Sequence, residues 1–155
     1  MRRATLGLLA ALLAATACRD PDARSPEEVA ATLAAEPRAP LYERLGGRPG
    51  IEAIVDAFLS RVAADSLISG YFAGANLPRL RGHLIDQIGQ ASGGPERYRG
   101  RDMKSAHAGL GVDAAAFDAL IADLAAVLEQ RGVGAADRRA LLDVLEPMRA
   151  DIVTR

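Results

Sequence analysis

Helical periodicity of the apolar residues is the feature that most constrains the fold of this chain. From Leu41 onward, large apolar residues recur at intervals of three and four, and glycine pairs at 46–47 and 93–94 separate the periodic segments. This spacing places an apolar stripe on each of four substantial amphipathic helices. Ala and Leu dominate the apolar residues and only 4% of residues are aromatic, which favours helices over strands. The chain is therefore predicted to be all-α.

Prolines at first helical positions, a capping aspartate and glycines at helix ends set the predicted boundaries. In chain order the predicted helices are 41–45, a segment from 49 to about 62, a segment from 78 to the glycines at 93–94, 103–108, a segment between Asp113 and Gly132, and 135–152. Pro147 is predicted to kink the last of these or to end its regular part, because proline removes a helical hydrogen bond.

The first 17 residues have the layout of an export signal. Arg2 and Arg3 precede an apolar stretch at 6–13, and small residues lead up to Cys18. The apolar stretch is too short to span a bilayer comfortably. Small residues that end at a cysteine resemble a bacterial lipobox, which predicts cleavage before Cys18 and lipidation of this residue. An ordinary A-x-A cleavage site and a retained N-terminal helix are the alternatives.

Length and composition predict one globular domain with N-terminal appendages. We expect a signal peptide at 1–17, an Ala- and Pro-rich tether at 18–40 and the globular domain at 41–155. The protein is expected to be exported to the periplasmic side and anchored to a membrane by the lipid. A formal net charge of −1 and the lack of a basic block argue against nucleic acid as a partner. The single cysteine excludes an intrachain disulfide.

The chain has two histidines, and a single histidine is by itself more often a surface or core residue than a ligand. Four motifs change that interpretation: LYERLGG at 41–47, YF at 71–72, GGPERYRGRDM at 93–103 and AHAGLGV at 106–112. In this order and at these separations, the motifs resemble those of group I truncated haemoglobins. The resemblance extends from Leu41 to about Val153.

This resemblance implies a truncated globin fold, a two-over-two helical sandwich around one haem b. His107 matches the proximal position of the family and is expected to bind the haem iron. The sequence has no CxxCH motif, which excludes attachment of haem by thioethers. The resemblance implies an apolar lining of the haem pocket by Phe72, Leu80, Leu84, Met103 and Phe117. It also implies contacts with the haem propionates by Tyr98, Arg101 and Lys104.

The distal side departs from the pattern of oxygen-specialised family members. Those members carry Tyr and Gln at two positions that correspond here to Leu59 and Leu84, and leucine donates no hydrogen bond. His83 shares a helix face with Leu80, Leu84 and Gln87, at spacings of three and four residues, and this face is expected to look toward the haem. His83 is therefore predicted either to close the sixth coordination site of the iron or to remain at the haem edge.

Three functions are compatible with these residues. The first is reversible binding of a diatomic gas: oxygen, or NO or CO. The second is a haem-dependent redox activity (NO dioxygenase, nitrite reductase or peroxidase-like), which needs an external reductase as electron donor. The third is a haem-free helical adaptor, against which the presence of His107 argues. The prediction is a gas-binding haem protein.

Overall fold

The computed structural model describes residues 39–155 of the chain. All regular structure in this range is helical, which confirms the predicted all-α fold. The predicted signal peptide, the lipidation of Cys18 and nearly all of the tether lie outside the described residues. In chain order the elements are α1 (Leu41–Arg44), α2 (Gly47–Ala64), a first 3-10 helix (Ser69–Phe72), α3 (Leu77–Ala91), α4 (Met103–His107), α5 (Ala114–Gln130), α6 (Ala135–Leu145), a second 3-10 helix (Glu146–Met148) and α7 (Arg149–Ile152).

The tight connection between α1 and α2 requires glycine at two positions. Gly46 has a φ of +88°, in the left-handed region that favours glycine. A Cβ atom on Gly50 would lie 1.9 Å from the carbonyl oxygen of Leu45. Only a residue without a side chain therefore allows the first turn of α2 to approach the end of α1 this closely. As a result α2 begins at Gly47, two residues before the predicted start at Pro49.

Two local predictions about helix ends are confirmed. The Asp113 carboxylate accepts a hydrogen bond from the Ala116 N–H at 2.8 Å and caps α5. The final helix does not run unbroken, because α6 ends at Leu145 and the chain continues as a 3-10 helix through Pro147 before α7 begins. The regular part of the last helix thus ends next to Pro147, one of the two outcomes that the sequence predicted.

Two pairs of helices, α2 with α3 and α5 with α6, form the sandwich. α2 packs against both α3 and α5, and α5 also packs against α6. The largest core side chains from these helices are fully buried: Ile51, Ile54, Val55, Val62, Ile85, Val127, Leu128 and Leu141. Because apolar burial is the dominant stabilising contribution to folding, this core provides a rigid frame for the less regular segments.

The short helix α4 lies outside this core and is supported by the C-terminal segment. It packs against α7, and the Thr154 N–H donates a hydrogen bond to the Val112 carbonyl oxygen at 2.9 Å. The end of the chain therefore helps to position the only histidine-bearing segment outside α3. Among the described helices, none has the length and hydropathy needed to span a membrane.

Candidate haem site

A cavity of about 1020 Å³ lies between α3, α4, α5 and the second 3-10 helix. This volume is at the upper end of the roughly 300–1,000 Å³ typical of ligand pockets. The cavity brings together most of the residues predicted from the sequence: Phe72, Leu80, His83, Leu84, Tyr98, Arg101, Met103, His107 and Phe117. Its walls are thus largely aliphatic and aromatic, with a small number of polar side chains.

His107 is oriented by the backbone of its own helix. Asp102 caps α4 by accepting a hydrogen bond from the Ser105 N–H at 2.8 Å. One turn later, Nδ1 of His107 lies 2.8 Å from the carbonyl oxygen of Met103. A carbonyl oxygen only accepts, so Nδ1 carries the proton and donates it. Nε2 of the half-buried imidazole is left with its lone pair and is the nitrogen available to a ligand in the cavity.

Polar side chains from two segments meet at the mouth of the cavity. The Tyr98 hydroxyl donates a hydrogen bond to the Arg101 carbonyl oxygen at 2.7 Å. The ring of Tyr98 makes an edge contact with the ring of His83, with 5.6 Å between their centroids. Nε of Arg79 donates a hydrogen bond to Nε2 of His83 at 3.4 Å. This part of the cavity is therefore cationic and rich in hydrogen-bond donors.

Burial raises the pKa of the Tyr98 hydroxyl above its usual value, although the positive charge of Arg101 opposes the rise and the negative charge of Asp102 adds to it. The hydroxyl therefore remains protonated at neutral pH. Its single proton is donated to the Arg101 carbonyl oxygen, so a hydrogen bond to a carboxylate would require a change of partner.

The structure places one predicted polar residue away from the cavity and reveals another. Lys104 is exposed and does not line the cavity, so its contact with a propionate stays a prediction. Arg79 does line the cavity but was not among the residues predicted from the sequence. Arg79 follows the capping Asn76 by three residues, which places it in the first turn of α3. It lies four residues before His83, so the two side chains share a helix face. This spacing was the signal in the sequence that could have identified Arg79.

Helix α3 forms one wall of the cavity, and α2 contributes to the space behind it. Leu80, Leu84 and Ile88 recur at every fourth residue of α3 and all face the cavity. On α2 it is Phe58 that lines the cavity, whereas Leu59 packs against the core without forming part of the wall. The two positions at which oxygen-specialised relatives carry polar residues thus lie differently here: Leu84 faces the cavity and Leu59 does not.

Comparison with known proteins gives the family. A family model described as bacterial-like globin matches residues 40–154. A group 1 truncated hemoglobin from a Nostoc species is 40% identical over 115 residues, which cover 74% of this chain and 98% of the relative. The chain belongs to the group I truncated haemoglobins. The predicted family, and with it the two-over-two helical sandwich, is confirmed.

Other haemoglobins align with most of the described residues. The one from Mycolicibacterium paratuberculosis is 37% identical over 120 residues, covering 77% of this chain and 88% of that protein. The solved structure of the truncated hemoglobin from Tetrahymena pyriformis in its Fe(III) form has a TM-score of 0.72 at 32% identity, covering 74% of this chain and 98% of the other. A 2/2 hemoglobin from a Synechococcus species, solved in the cyanomet state with covalently attached heme, has a TM-score of 0.71 at 28% identity, covering 76% and 100%.

As a group I truncated haemoglobin, the chain is a haem-binding globin of a family that binds diatomic gases. The cavity fits this cofactor on its own chemistry. It combines an imidazole whose Nε2 is free, largely apolar walls, and cations at the mouth that suit two carboxylates.

Proposed function

We propose that the chain holds one haem b in this cavity through Nε2 of His107 and reversibly binds a diatomic gas, oxygen in the first place, on the side lined by α3. The observation that carries this proposal is the hydrogen bond between Nδ1 of His107 and the Met103 carbonyl oxygen at 2.8 Å. It selects the tautomer whose free nitrogen binds iron, and it restricts rotation of the ring.

Bound haem would supply an iron atom that can bind a diatomic gas. The chain's own residues determine the surroundings of that gas. Phe72, Leu80, Leu84 and Phe117 give the cavity an apolar lining. Arg79, at the mouth, would pair with a propionate carboxylate. Such apolar walls would limit the access of water to a bound gas.

Noncovalent haem b is the form of the cofactor that this sequence supports. The chain has one cysteine and no CxxCH motif, so thioether attachment is excluded. The attached heme of the Synechococcus relative makes this point worth testing directly. Acidic organic extraction is expected to remove the haem completely from the purified protein, and mass spectrometry of the remaining chain is expected to show no added haem.

The contacts of His83 favour the edge position over ligation of the iron. Its Nε2 already accepts a hydrogen bond from Arg79, and its ring rests against Tyr98. Both partners belong to the mouth of the cavity, where the propionates are expected. The distal position is therefore proposed to remain open for a gas. A redox activity would in addition need a separate reductase, and no contact in the described part of the chain favours that alternative.

Absorption spectra of the purified mature protein test the proposed function. The wild-type protein is expected to bind one haem per chain, and its ferrous form is expected to be five-coordinate and to bind carbon monoxide. His107→Gly is expected to lose the proximal bond, and added imidazole is expected to restore the spectrum by occupying the space left by the side chain. His83→Ala is the matched control and should keep the wild-type ferric spectrum. A wild-type protein that binds no haem would refute the proposal.

The N-terminal segment supports a separate proposal about location. The basic residues, the short apolar stretch and Cys18 are together typical of an exported lipoprotein. We propose that the globin is anchored on the periplasmic side of a membrane by a lipid on Cys18. Mass spectrometry of the N-terminal peptide from cells is expected to find a lipid-modified Cys18. An unmodified N-terminus at Cys18 or later would indicate ordinary cleavage instead.

A further inference from the structure

The distal wall contains one polar side chain inside the cavity that neither the family motifs nor the proposed function has used. Gln87 follows His83 by four residues on α3 and lies about 6 Å further along the helix axis. It is half-buried and lines the cavity together with Leu84 and Ile88. The family's polar distal positions correspond to Leu59 and Leu84, so Gln87 occupies a different place on the wall.

The contacts of Gln87 show that it lies inside the cavity and not at the mouth. Its side-chain nitrogen Nε2 donates hydrogen bonds to the sulfur of Met148 at 3.0 Å and to the sulfur of Met103 at 3.5 Å. Met148 belongs to the second 3-10 helix and Met103 to α4, so the amide meets two other elements of the cavity. His83, in contrast, contacts Arg79 and Tyr98 at the mouth.

These hydrogen bonds leave the amide free to change partner. Thioether sulfur is a weak acceptor, so both N–H groups of Gln87 are held by weak bonds. The surrounding leucine and isoleucine side chains offer no stronger acceptor. A ligand atom with partial negative charge is a better acceptor than sulfur, and in an apolar cavity such a hydrogen bond is stronger than in water.

Other polar groups of the cavity are already engaged or lie elsewhere. Asn76 caps α3 by accepting a hydrogen bond from the Arg79 N–H at 3.0 Å. Tyr71 also lines a smaller void of about 80 Å³ that includes His107, Val112 and Ala116, which places it on the histidine side of the site. Arg79 and His83 of α3 contact each other at the mouth, so among the cavity-lining residues of this helix Gln87 is the donor that lies away from the mouth.

We infer that Gln87 is the residue that hydrogen-bonds a gas ligand in this cavity, in place of the Tyr and Gln that this chain lacks. The inference rests on the proposed function, because it requires a gas to occupy the α3 side. It gives the site a preference for ligands that accept a hydrogen bond, such as oxygen, over carbon monoxide, which accepts one poorly. The sulfur atoms of Met103 and Met148 keep the amide in the cavity when no gas is present.

Replacement of Gln87 by methionine is the sharpest test. Gln87→Met preserves the length and shape of the side chain but removes both donors. Relative to wild type, the oxygen dissociation rate is expected to rise about three- to tenfold, the effect of losing one hydrogen bond. The carbon monoxide dissociation rate is expected to change less than twofold. The infrared C–O stretching frequency of the carbon monoxide complex is expected to rise, because a donor near the ligand lowers it.

Two further variants make the result decisive. Gln87→Leu removes the donors with a different shape, so an effect shared by both variants belongs to the amide. Gln130→Met makes the same exchange on the exposed end of α5, away from the cavity, and is expected to match wild type.

The outcomes separate the two proposals. Unchanged oxygen dissociation and an unchanged C–O stretch in haem-loaded Gln87→Met would overturn the inference and leave the proposed function intact. Loss of haem binding in both Gln87 variants would assign the residue a packing role and would also overturn the inference. Failure of the wild-type protein to bind haem would refute the proposed function itself.

Discussion

At the scale of single residues, the chemistry of the cavity depends on a few polar groups set into apolar walls. Nδ1 of His107 donates to a backbone carbonyl oxygen, Arg79 and Tyr98 surround His83, and the amide of Gln87 donates to two sulfur atoms. The partners differ in kind: a backbone carbonyl oxygen for His107, a guanidinium and an aromatic ring for His83, and thioether sulfur for Gln87. The same cavity therefore offers a metal ligand, a cationic mouth and a hydrogen-bond donor at separate places.

Arg79 leads to a prediction about haem retention. Arg79→Met removes the cation at the mouth while keeping the aliphatic part of the side chain. Haem is expected to dissociate about two- to fivefold faster at low salt, the modest effect of an exposed ion pair, and the difference is expected to shrink at high salt. Transfer of haem to an excess of another apoglobin measures the rate.

A matched arginine provides the control for this prediction. Arg139 is exposed on α6 and does not line the cavity. Arg139→Met is therefore expected to release haem at the wild-type rate. An equal change in both variants would show that the effect follows from net charge and that Arg79 has no special contact with the haem.

At the scale of elements, two glycines in helices are predicted to respond in opposite ways to alanine. Gly50→Ala places a Cβ against the Leu45 carbonyl oxygen, so α2 must move and stability is expected to fall by at least about 1–3 kcal/mol. Gly82 lies inside α3, and the position that a Cβ would take there has no other atom within 4 Å. Gly82→Ala is expected to raise stability by about 0.5–1 kcal/mol, because alanine loses less backbone entropy in a helix.

Urea denaturation of both variants beside wild type measures the two effects. Both exchanges change the backbone entropy of a helical position in the same way. The difference between the two changes in the free energy of unfolding therefore measures the effect of the close approach between α1 and α2. Stabilisation by Gly50→Ala would show that the approach at Leu45 is not required for the fold.

The N-cap of α4 leads to a prediction about pH. The pKa of Asp102 is lowered below its ordinary value of 3.8, chiefly by the hydrogen bond from the Ser105 backbone N–H. A lowered pKa in the folded state means that the charged carboxylate stabilises the fold above pH 3.8 and that this contribution is lost as the pH falls through the lower value. The helix that carries His107 is therefore expected to lose part of its stability in strong acid.

Asp102→Asn tests this expectation, because asparagine also caps helices but carries no charge. Wild type is expected to be more stable than the variant between about pH 5 and 7. The difference is expected to shrink as the pH falls below the ordinary pKa of 3.8 and to vanish below the lowered pKa of the folded state. Thermal unfolding from about pH 7 down to about pH 2 measures it. Asp143→Asn on the exposed side of α6 is the control. A stability difference that is independent of pH would contradict the role of the Asp102 charge.

At the scale of the whole molecule, a rigid core supports a large cavity that a bound group is needed to fill. α2, α5 and α6 contribute most of the fully buried side chains, whereas α4 has none. A ligand that binds only the folded state stabilises it by an amount that grows with its concentration relative to Kd. We expect removal of haem to lower Tm and to destabilise α4 and the cavity walls more than the core formed by α2, α5 and α6.

Hydrogen exchange of the haem-free and haem-loaded protein measures this difference. Amides of α4 and of the cavity side of α3 are expected to lose protection when haem is removed, while amides in the middle of α2 and α5 stay protected. A uniform loss of protection throughout the described domain would show that haem is needed for the core itself.

Local signals in the sequence were sufficient to predict the helices and several of their ends. Asp113 caps its helix and Pro147 interrupts the last one because capping and helix breaking depend on neighbours along the chain. The assignment of His107 as the iron ligand comes from motifs that span most of the domain, and it stays a prediction. The family and the all-α fold follow from the same signals, since periodicity and motif order are properties of the sequence alone.

Tertiary structure alone decided which side chains meet across elements. The sequence placed Gln87 on one face of a helix with His83, but the sulfur of Met148 that it contacts lies 61 residues further on. Likewise, Phe58 and not Leu59 reaches the cavity, and Arg79 does so where Lys104 does not. Helical spacing defines the face of a side chain, whereas its partners depend on how several helices pack together, a long-range outcome that no short segment of sequence specifies.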